Sequence, residues 1–180
     1  FDHPERPLVL EIGFGMGETT ASIAEATPET NYVGVEVHKP GVGKLLGQIE
    51  KRALENIRIV HDDIVPLLQN SCAPETFDGV HMFFPDPWPK ARHHKRRLIQ
   101  PSFTALLVEK IRPGGYLYVA TDWEDYAEQI RAVFAAEPRL ENRYNGFAPP
   151  QGWRPRTAFE QKGLEKRHAI FELLLTRAGA

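Results

Sequence analysis

The chain has 180 residues, of which 42% are hydrophobic and 26% charged, a size and composition typical of a single globular domain. Its one cysteine, Cys72, excludes an internal disulfide framework, and no apolar run approaches the roughly 18 residues of a membrane-spanning helix, so we expect a cytoplasmic protein with no membrane partner. The net charge of -2 is unevenly spread, because residues 1–80 hold 6 Lys or Arg against 13 Asp or Glu whereas residues 81–180 hold 16 against 11. This asymmetry suggests a polyanionic partner for the basic half, but taken alone it favours chance surface charge.

The predicted elements alternate between short apolar runs and longer helical patterns. In chain order, the sequence predicts a strand over 8–12, a helix over 18–26, a strand over 32–37, a helix over 45–54, strands over 57–60 and 77–84, a helix over 103–111 and a strand over 116–120. Repeated β-α-β units predict an α/β fold, with a parallel sheet covered by helices on both faces. Right-handed crossovers bring the carboxyl ends of the strands to one edge, where ligands bind.

The last third of the chain departs from this alternation. It has a helical pattern over 123–136, a long loop rich in Gly, Pro and Arg over 145–167, and a closing strand over 169–176. Because neither a repeat nor a low-complexity linker interrupts the chain, we expect one domain over residues 1–180. The first residue is Phe1 rather than Met, so we also expect a native N-terminal segment to be missing.

A glycine-rich turn, EIGFGMG, follows the first strand. Gly13, Gly15 and Gly17 allow the backbone to turn sharply and leave room for a ligand. The spacing differs from the dinucleotide fingerprint G-x-G-x-x-G, because Glu18 takes the place of the last glycine and its charge at a helix N-terminus repels a pyrophosphate. The turn therefore favours S-adenosylmethionine over NAD, with Glu11 facing the ammonium group, and an ordinary Gly-rich turn is the alternative.

Acidic residues end the next two strands. Glu36 ends the second strand, where a carboxylate can accept hydrogen bonds from ribose hydroxyls. Asp62 and Asp63 follow the third strand, where a carboxylate can accept from an adenine amino group; we favour Asp62 and keep Asp63 as the alternative. Each acid alone is as readily a solvated strand end, so it is the conjunction on consecutive strands that indicates a cofactor.

The sequence FFPDPWPK after the fourth strand is the most distinctive motif. Three prolines within five residues restrict the backbone and hold Asp86 rigidly beside the expected methyl donor. A held carboxylate next to an aromatic residue suits binding of a base, with a structural proline turn as the alternative. Trp88 either stacks on a base or packs against the protein.

A run of cations follows, with no acidic residue from 87 through 108. Such a run is usually a solvated face, but its position beside the expected site favours contacts to nucleic-acid phosphates. The candidates for these contacts are Arg92, Lys95, Arg96 and Arg97, with Arg154 and Arg156 in the later loop. The pair His93 and His94 lacks the spacing and the cysteine partners of a metal site, so we expect no metal.

Four segments in this order, EIGFGMG, FFPDPWPK followed by ARHHKRR, ATDWEDYA and RPRTAFEQKG, together resemble the bacterial tRNA (guanine-N7-)-methyltransferase family, from Glu11 to about Glu172. The resemblance implies a class I S-adenosylmethionine-dependent methyltransferase fold, which is Rossmann-like, with a mostly parallel seven-stranded sheet and an antiparallel C-terminal strand. It implies methyl transfer to N7 of a guanine in the tRNA variable loop (m7G46), with S-adenosylhomocysteine as the product. The family's bacterial members need no second type of subunit, and we expect a monomer or homodimer.

The resemblance also implies roles for single residues, with Asp86 as the catalytic residue. The implied cofactor residues are Glu11, Gly13, Gly15, Gly17, Glu36, Asp62 and Asp86. The implied substrate residues are Lys90, Asp122, Thr157, Ala158, Phe159 and Glu160. The sequence departs from the family at Ala158, where Lys is usual, which leaves Arg156 to compensate. Asp122 is explained equally well as the N-cap of the next helix.

Two other functions remain open. One is a methyltransferase for a small molecule or a protein, against which the basic run and the 145–167 loop count. The other is a non-catalytic RNA-binding protein on the same scaffold, against which the intact glycine turn and Asp86 count.

Overall fold

The computed structural model describes residues 1–155, 160 and 169–179, which form a seven-stranded sheet between two layers of helices. The strands are β1 (Leu8–Ile12), β2 (Asn31–Val35), β3 (Ile57–Val60), β4 (Phe77–Phe83), β5 (Ile111–Thr121), β6 (Leu140–Asn142) and β7 (Phe171–Arg177). Their order across the sheet is β3-β2-β1-β4-β5-β7-β6. Neighbours from β3 to β5 pair in parallel, whereas β7 runs antiparallel to both β5 and β6. The predicted fold class, including the antiparallel C-terminal strand, is confirmed.

Helices cover both faces of the sheet. They are α1 (Glu18–Ala26), α2 (Lys39–Arg52), α3 (Ile64–Asn70), α4 (Pro101–Lys110) and α5 (Glu124–Ala135), with a 3-10 turn over Ala91–Arg96. Helices α1 and α2 pack on one face through residues such as Ile23 and Leu45. Helices α3, α4 and α5 pack on the other through Leu68, Leu107 and Phe134. Because side chains alternate along each strand, consecutive strand residues enter different layers. Within the described residues no helix is long and apolar enough to cross a membrane.

Two predicted boundaries are wrong. Helix α2 begins at Lys39 rather than at 45, because Pro40 lies in its first turn, where a missing N–H costs nothing, and the glycines that follow carry no apolar pattern. Strand β5 begins at Ile111, the last residue of the predicted helix, and runs through Pro113-Gly114-Gly115, which precede the predicted start of the strand at 116. The register against β4 shifts between Phe77 and Gly79, and this irregularity accommodates the turn-like sequence.

Three short elements were not predicted: helix α3, strand β6 and the 3-10 turn over Ala91–Arg96. Helix α3 has seven residues and strand β6 has three, lengths at which hydrophobic periodicity carries little signal. Strand β6 is held by its pairing with β7 at the edge of the sheet. The remaining strands and helices lie within a few residues of the predicted ranges.

Candidate active site at the carboxyl edge of the sheet

A cavity of about 720 Å³ lies at the carboxyl ends of β1 to β4. This volume is within the range of ligand pockets, about 300–1,000 Å³. Residues from the glycine turn, from the ends of β2 and β3 and from the proline-rich loop after β4 line it together. Parallel topology therefore brings to one edge the segments that the sequence singled out separately.

The glycine turn lines one side of the cavity. Gly13, Gly15 and Gly17 have φ of +72°, +57° and +75°, a conformation that only glycine adopts without strain. A Cβ added at Gly13 or Gly15 would meet nothing within 4 Å, so the turn borders open space. A Cβ at Gly17 would come within 2.6 Å of the Leu45 Cβ, which means that this glycine also allows α2 to pack closely.

Glu36 joins the end of β2 to the glycine turn. Its carboxylate accepts hydrogen bonds from the backbone N–H groups of Gly15 at 2.8 Å and His38 at 2.9 Å. The side chain is buried and lines the cavity. Since each carboxylate oxygen has further lone pairs, Glu36 can brace the turn and still accept from a ligand's hydroxyl groups.

The Glu11 carboxylate lies behind the turn and does not line the cavity. Strand alternation sends Ile12 to the cavity side and Glu11 to the layer of α1 and α2, where it is 2% exposed. One oxygen accepts from the Thr20 hydroxyl at 3.0 Å, and the other has no hydrogen-bond partner among the described residues. Burial raises the pKa of Glu11 to about 7. Its contact with a cofactor's ammonium group stays a prediction.

This shift predicts a measurable dependence of stability on pH. The unfolded chain loses the Glu11 proton near the ordinary pKa of 4.5, whereas the folded chain keeps it to about 7, so the free energy of unfolding falls as pH rises between these values. We expect Glu11→Gln to remove this part of the slope and to be more stable than the wild type at pH 8 by roughly 1–3 kcal/mol. Urea unfolding of the cofactor-free protein at pH 5 and pH 8 measures it. Glu29→Gln, at an exposed position, is the matched control, and equal pH slopes for wild type and Glu11→Gln would contradict the shift.

Asp62 and Asp63 both line the cavity at the end of β3. Asp63 is the N-cap of α3 and accepts from the Val65 N–H at 2.8 Å. Asp62 accepts from the Asp63 N–H at 2.7 Å. Both side chains are exposed, so the choice between them that the sequence left open stays open.

The loop that carries Asp86 is held on both sides. Its flanking residues Phe84 and Trp88 have φ of +52° and +42°, a region that bulky side chains rarely adopt. The Phe84 N–H donates to the carbonyl of Ala120 in β5 at 2.7 Å, and Arg97 Nε donates to the carbonyl of Pro87 at 2.8 Å. The Asp86 side chain itself is exposed and lines the cavity. Backbone strain on both sides of Asp86 is typical of a loop that contributes to function.

Arg97 is a structural residue, so its predicted contact to an RNA phosphate is corrected. Its side chain is 1% exposed, with the guanidinium 2.5 Å from an Asp125 oxygen and stacked 4.8 Å from the Tyr126 ring centroid. It also donates to Gln129 at 2.6 Å. The guanidinium lowers the pKa of the Asp125 carboxyl. Charge in a sequence does not reveal burial, and here the cation fixes the Asp86 loop to α5.

The other cations of the run are exposed. Arg92, Lys95 and Arg96 project from the 3-10 turn, and Lys90 immediately precedes it. Arg96 lines the cavity and lies 5.0 Å from the Trp88 ring centroid. These four positions remain candidates for contact with a polyanion.

Asp122 follows the end of β5 and is half-buried. The capping position of α5 is Trp123, whose N–H is bound by the Thr121 hydroxyl at 3.2 Å. The alternative interpretation of Asp122 as that helix's N-cap is therefore wrong. Its role as a substrate contact stays a prediction.

Arg154 is buried in an ionic network, and its predicted contact to a phosphate is also corrected. Its guanidinium forms a two-pronged pair with Glu160 at 2.6 and 3.0 Å and binds Glu172 at 2.6 Å. Its Nε donates to the Tyr118 hydroxyl at 2.9 Å, and that hydroxyl donates to Glu172 at 2.5 Å. Glu160, expected to contact substrate, is thus engaged with Arg154. The predicted residues Arg156, Thr157, Ala158 and Phe159 lie outside the described residues.

Sequence reasoning missed Gly41, which shapes the site, and Tyr118, which holds the Arg154 network together. Gly41, in the first turn of α2, lies against the glycine turn so closely that an added Cβ would be 2.0 Å from the Gly15 carbonyl oxygen. Tyr118 organises the Arg154 network from the middle of a strand that looked purely apolar. A glycine inside a helix was the available signal for the first. Within the described residues no group of three or more His, Cys, Asp or Glu is placed to hold a metal ion.

Solved structures with this fold include several methyltransferases and also the [4+2]-cyclase SpnF. The 16S rRNA methyltransferase KamB superposes with a TM-score of 0.70 at 16% identity, over 96% of this chain and 88% of that one. An S-adenosylmethionine-dependent methyltransferase from Aquifex aeolicus superposes with a TM-score of 0.65 at 11% identity, over 96% and 82%. The chain therefore has the fold of S-adenosylmethionine-dependent methyltransferases, as predicted.

Sequence comparisons identify the family to which the chain belongs. A family model described as "Putative methyltransferase" matches residues 5–173. The tRNA (guanine-N(7)-)-methyltransferase of Nitrosospira multiformis is 56% identical over 171 residues, 95% of this chain and 75% of that protein. That of Paraburkholderia xenovorans is 55% identical over 176 residues, 98% of this chain and 68% of that protein. The chain belongs to the tRNA (guanine-N(7)-)-methyltransferase family, which confirms the resemblance.

Proposed function

We propose that this protein transfers the methyl group of S-adenosylmethionine to N7 of a guanine in the variable loop of tRNA (m7G46). The observation that carries the proposal is the position of Asp86. It is an exposed carboxylate on a braced loop, and its cavity is bordered by the glycine turn on one side and by the exposed cation Arg96 on the other. A site of this kind can hold a cationic methyl donor and an RNA base together.

The residues of the cavity fit S-adenosylmethionine. Glu36 would accept from the ribose hydroxyls, and Asp62 or Asp63 from the adenine amino group. The open space beside Gly13 and Gly15 would take the amino-acid part of the cofactor against the backbone. The N-terminus of α1 is unfavourable for a pyrophosphate, because Glu18 places a carboxylate in its first turn.

The reaction needs alignment more than proton transfer. When bound, S-adenosylmethionine supplies a methyl group on a positively charged sulfur, so that the N–C bond forms as the C–S bond breaks and the charge passes to the guanine. Guanine N7 has an in-plane lone pair and no proton, so no general base is required. Holding the two reactants in line can account for about 7–11 kcal/mol of the barrier.

Asp86 would act on the guanine. A carboxylate beside the base can accept hydrogen bonds from its edge and can stabilise the positive charge that develops during transfer. The prolines on either side of Asp86, the Ala120 contact of Phe84 and the Arg97 bond to Pro87 keep the carboxylate from reorganising as that charge forms.

The exposed cations predict a salt dependence of tRNA binding. We expect the triple variant Arg92→Gln/Lys95→Gln/Arg96→Gln to lower the slope of log affinity against log salt by roughly 0.7–0.9 for each phosphate that the variant no longer neutralises. Filter binding of tRNA from 50 to 300 mM salt gives the slope. The matched control neutralises three exposed cations elsewhere, Lys44, Lys51 and Arg131. If the first triple variant keeps the wild-type slope, the run is only a solvated face.

Further contacts complete the proposal. Lys90, Asp122 and the segment 157–160 are proposed to bind tRNA, in a cytoplasmic protein that works as a monomer or homodimer without a second type of subunit. Transfer of a labelled methyl group from S-adenosylmethionine to bulk tRNA, measured beside transfer to a protein extract and to small-molecule acceptors, tests the substrate class. Label in tRNA alone is expected, and label only in protein or small molecules would overturn the proposal.

A further inference from the structure

Trp88 is a large aromatic residue that the reaction scheme leaves without a role. Its side chain is only half-buried and lines the cavity, two residues after Asp86. Other aromatic side chains of the chain, such as Tyr126 and Phe134, are fully buried, which is where burial of apolar surface stabilises the fold. Trp123 and Trp153 are also partly exposed, so the feature that distinguishes Trp88 is its position in the cavity wall beside Asp86.

The backbone of Trp88 is held in an unfavourable conformation. Its φ of +42° is one that a bulky residue rarely adopts. Pro87 and Pro89 restrict the chain on either side, and the Arg97 bond to the Pro87 carbonyl fixes the approach to it. The fold thus maintains a strained conformation in order to present this ring, as is typical of residues that bind a ligand.

Two side chains of the 3-10 turn orient the ring. Arg96 lies over it, with the guanidinium carbon 5.0 Å from the ring centroid, and His93 meets it edge-on with ring centroids 5.9 Å apart. Arg96 is exposed and lines the same cavity. Indole rings and guanidinium planes are the surfaces on which unstacked bases lie in single-stranded RNA recognition, with nearby cations on the phosphates.

We propose that Trp88, supported by Arg96, is the stacking platform for the target guanine at the cavity. This inference rests on the proposed function and adds to it a residue that binds and orients the substrate base. The ring would bind the face of the base, whereas Asp86 would bind its edge, so the two residues together set the orientation of N7. Stacking is available to every base, and selection of guanine would then come from the edge contacts.

Steady-state kinetics at saturating S-adenosylmethionine test the proposal. Trp88→Leu is expected to raise the KM for tRNA about 5- to 150-fold, the range for removal of one stacking partner, and Trp88→Phe to recover most of the affinity. The affinity for S-adenosylhomocysteine, measured by calorimetry, should change less than about threefold. The matched control is Leu46→Ala, an exposed apolar residue on α2, which should leave the KM unchanged. A Trp88→Leu variant that is folded and keeps the wild-type KM would overturn the platform.

Fluorescence gives a second readout that does not depend on the stability of Trp88→Leu. The chain has three tryptophans, so Trp123→Phe/Trp153→Phe leaves Trp88 as the only one. Saturable quenching by tRNA is expected in this background, and an unchanged emission from a variant that still methylates tRNA would contradict stacking. A wild type that methylates no tRNA would instead refute the proposed function, which keeps the two failures distinct.

Discussion

Asp86→Asn is expected to lower the single-turnover rate of methyl transfer about 30- to 1,000-fold at saturating tRNA and cofactor. The substitution keeps the shape and part of the hydrogen bonding but removes the charge that would stabilise the cationic guanine, and preorganised groups of this kind contribute about 2–4 kcal/mol. The affinities for tRNA and for S-adenosylhomocysteine should change much less, because the charge matters most as the methyl group moves. Rapid-quench measurement of labelled tRNA gives the rate.

Glu124→Gln is a suitable control for this measurement. It removes one exposed carboxylate from the first turn of α5 and should leave the rate unchanged. An unchanged rate for Asp86→Asn would mean that the carboxylate is a structural element of the proline-rich loop. The catalytic assignment would then move to Asp122, at the end of the neighbouring strand β5.

Gly41→Ala is expected to weaken cofactor binding about 5- to 150-fold, although alanine is the better helix former. The new Cβ would come within 2.0 Å of the Gly15 carbonyl oxygen and 3.7 Å of the Glu36 side chain. The first of these is a backbone atom that no rotamer change can move, so the glycine turn or the start of α2 must shift. Overpacking of this kind costs about 1–3 kcal/mol. Calorimetric titration with S-adenosylhomocysteine measures the change in affinity.

Gly47→Ala, on the same helix, is the matched control, because it adds the same methyl group at a position where the group meets no neighbour. A Cβ there would meet nothing within 4 Å, so the substitution should stabilise the protein by about 0.5–1 kcal/mol and leave cofactor affinity intact. Equal cofactor affinities for the two variants would show that α2 is free to move away from the turn without consequence.

The fold was largely predictable because its signals are local. Strands β1 and β3 and helix α1 have the predicted bounds, since the glycine turn ends β1, the polar residues His61 and Asp62 end β3, and Pro28 limits α1. The start of α2 was not predictable from periodicity, because a proline and two glycines replace its first apolar turn. Close packing explains this composition, because only a small residue at Gly41 lets α2 lie against the glycine turn.

The site residues that follow strand ends were predictable from the sequence. The roles of residues that depend on burial were not. Glu36, Asp62 and Asp86 follow parallel strands, and topology alone brings them to one cavity. Arg97 and Arg154 looked like their exposed neighbours in the sequence, yet each is buried against acids that are distant along the chain. Whether a cation faces water or is enclosed beside a carboxylate depends on tertiary packing, which the order of residues does not display.

The central proposal is that this protein methylates N7 of the guanine in the variable loop of tRNA, and the most direct test identifies the modified nucleoside and its position. Purified protein is incubated with S-adenosylmethionine and unmodified transcripts of a tRNA, one with guanine in the variable loop and one with that guanine replaced by adenine. The products are digested and analysed by mass spectrometry of the nucleosides. We expect 7-methylguanosine from the first transcript and none from the second. A different methylated nucleoside, equal 7-methylguanosine from both transcripts, or no methylated nucleoside from either would contradict the claim.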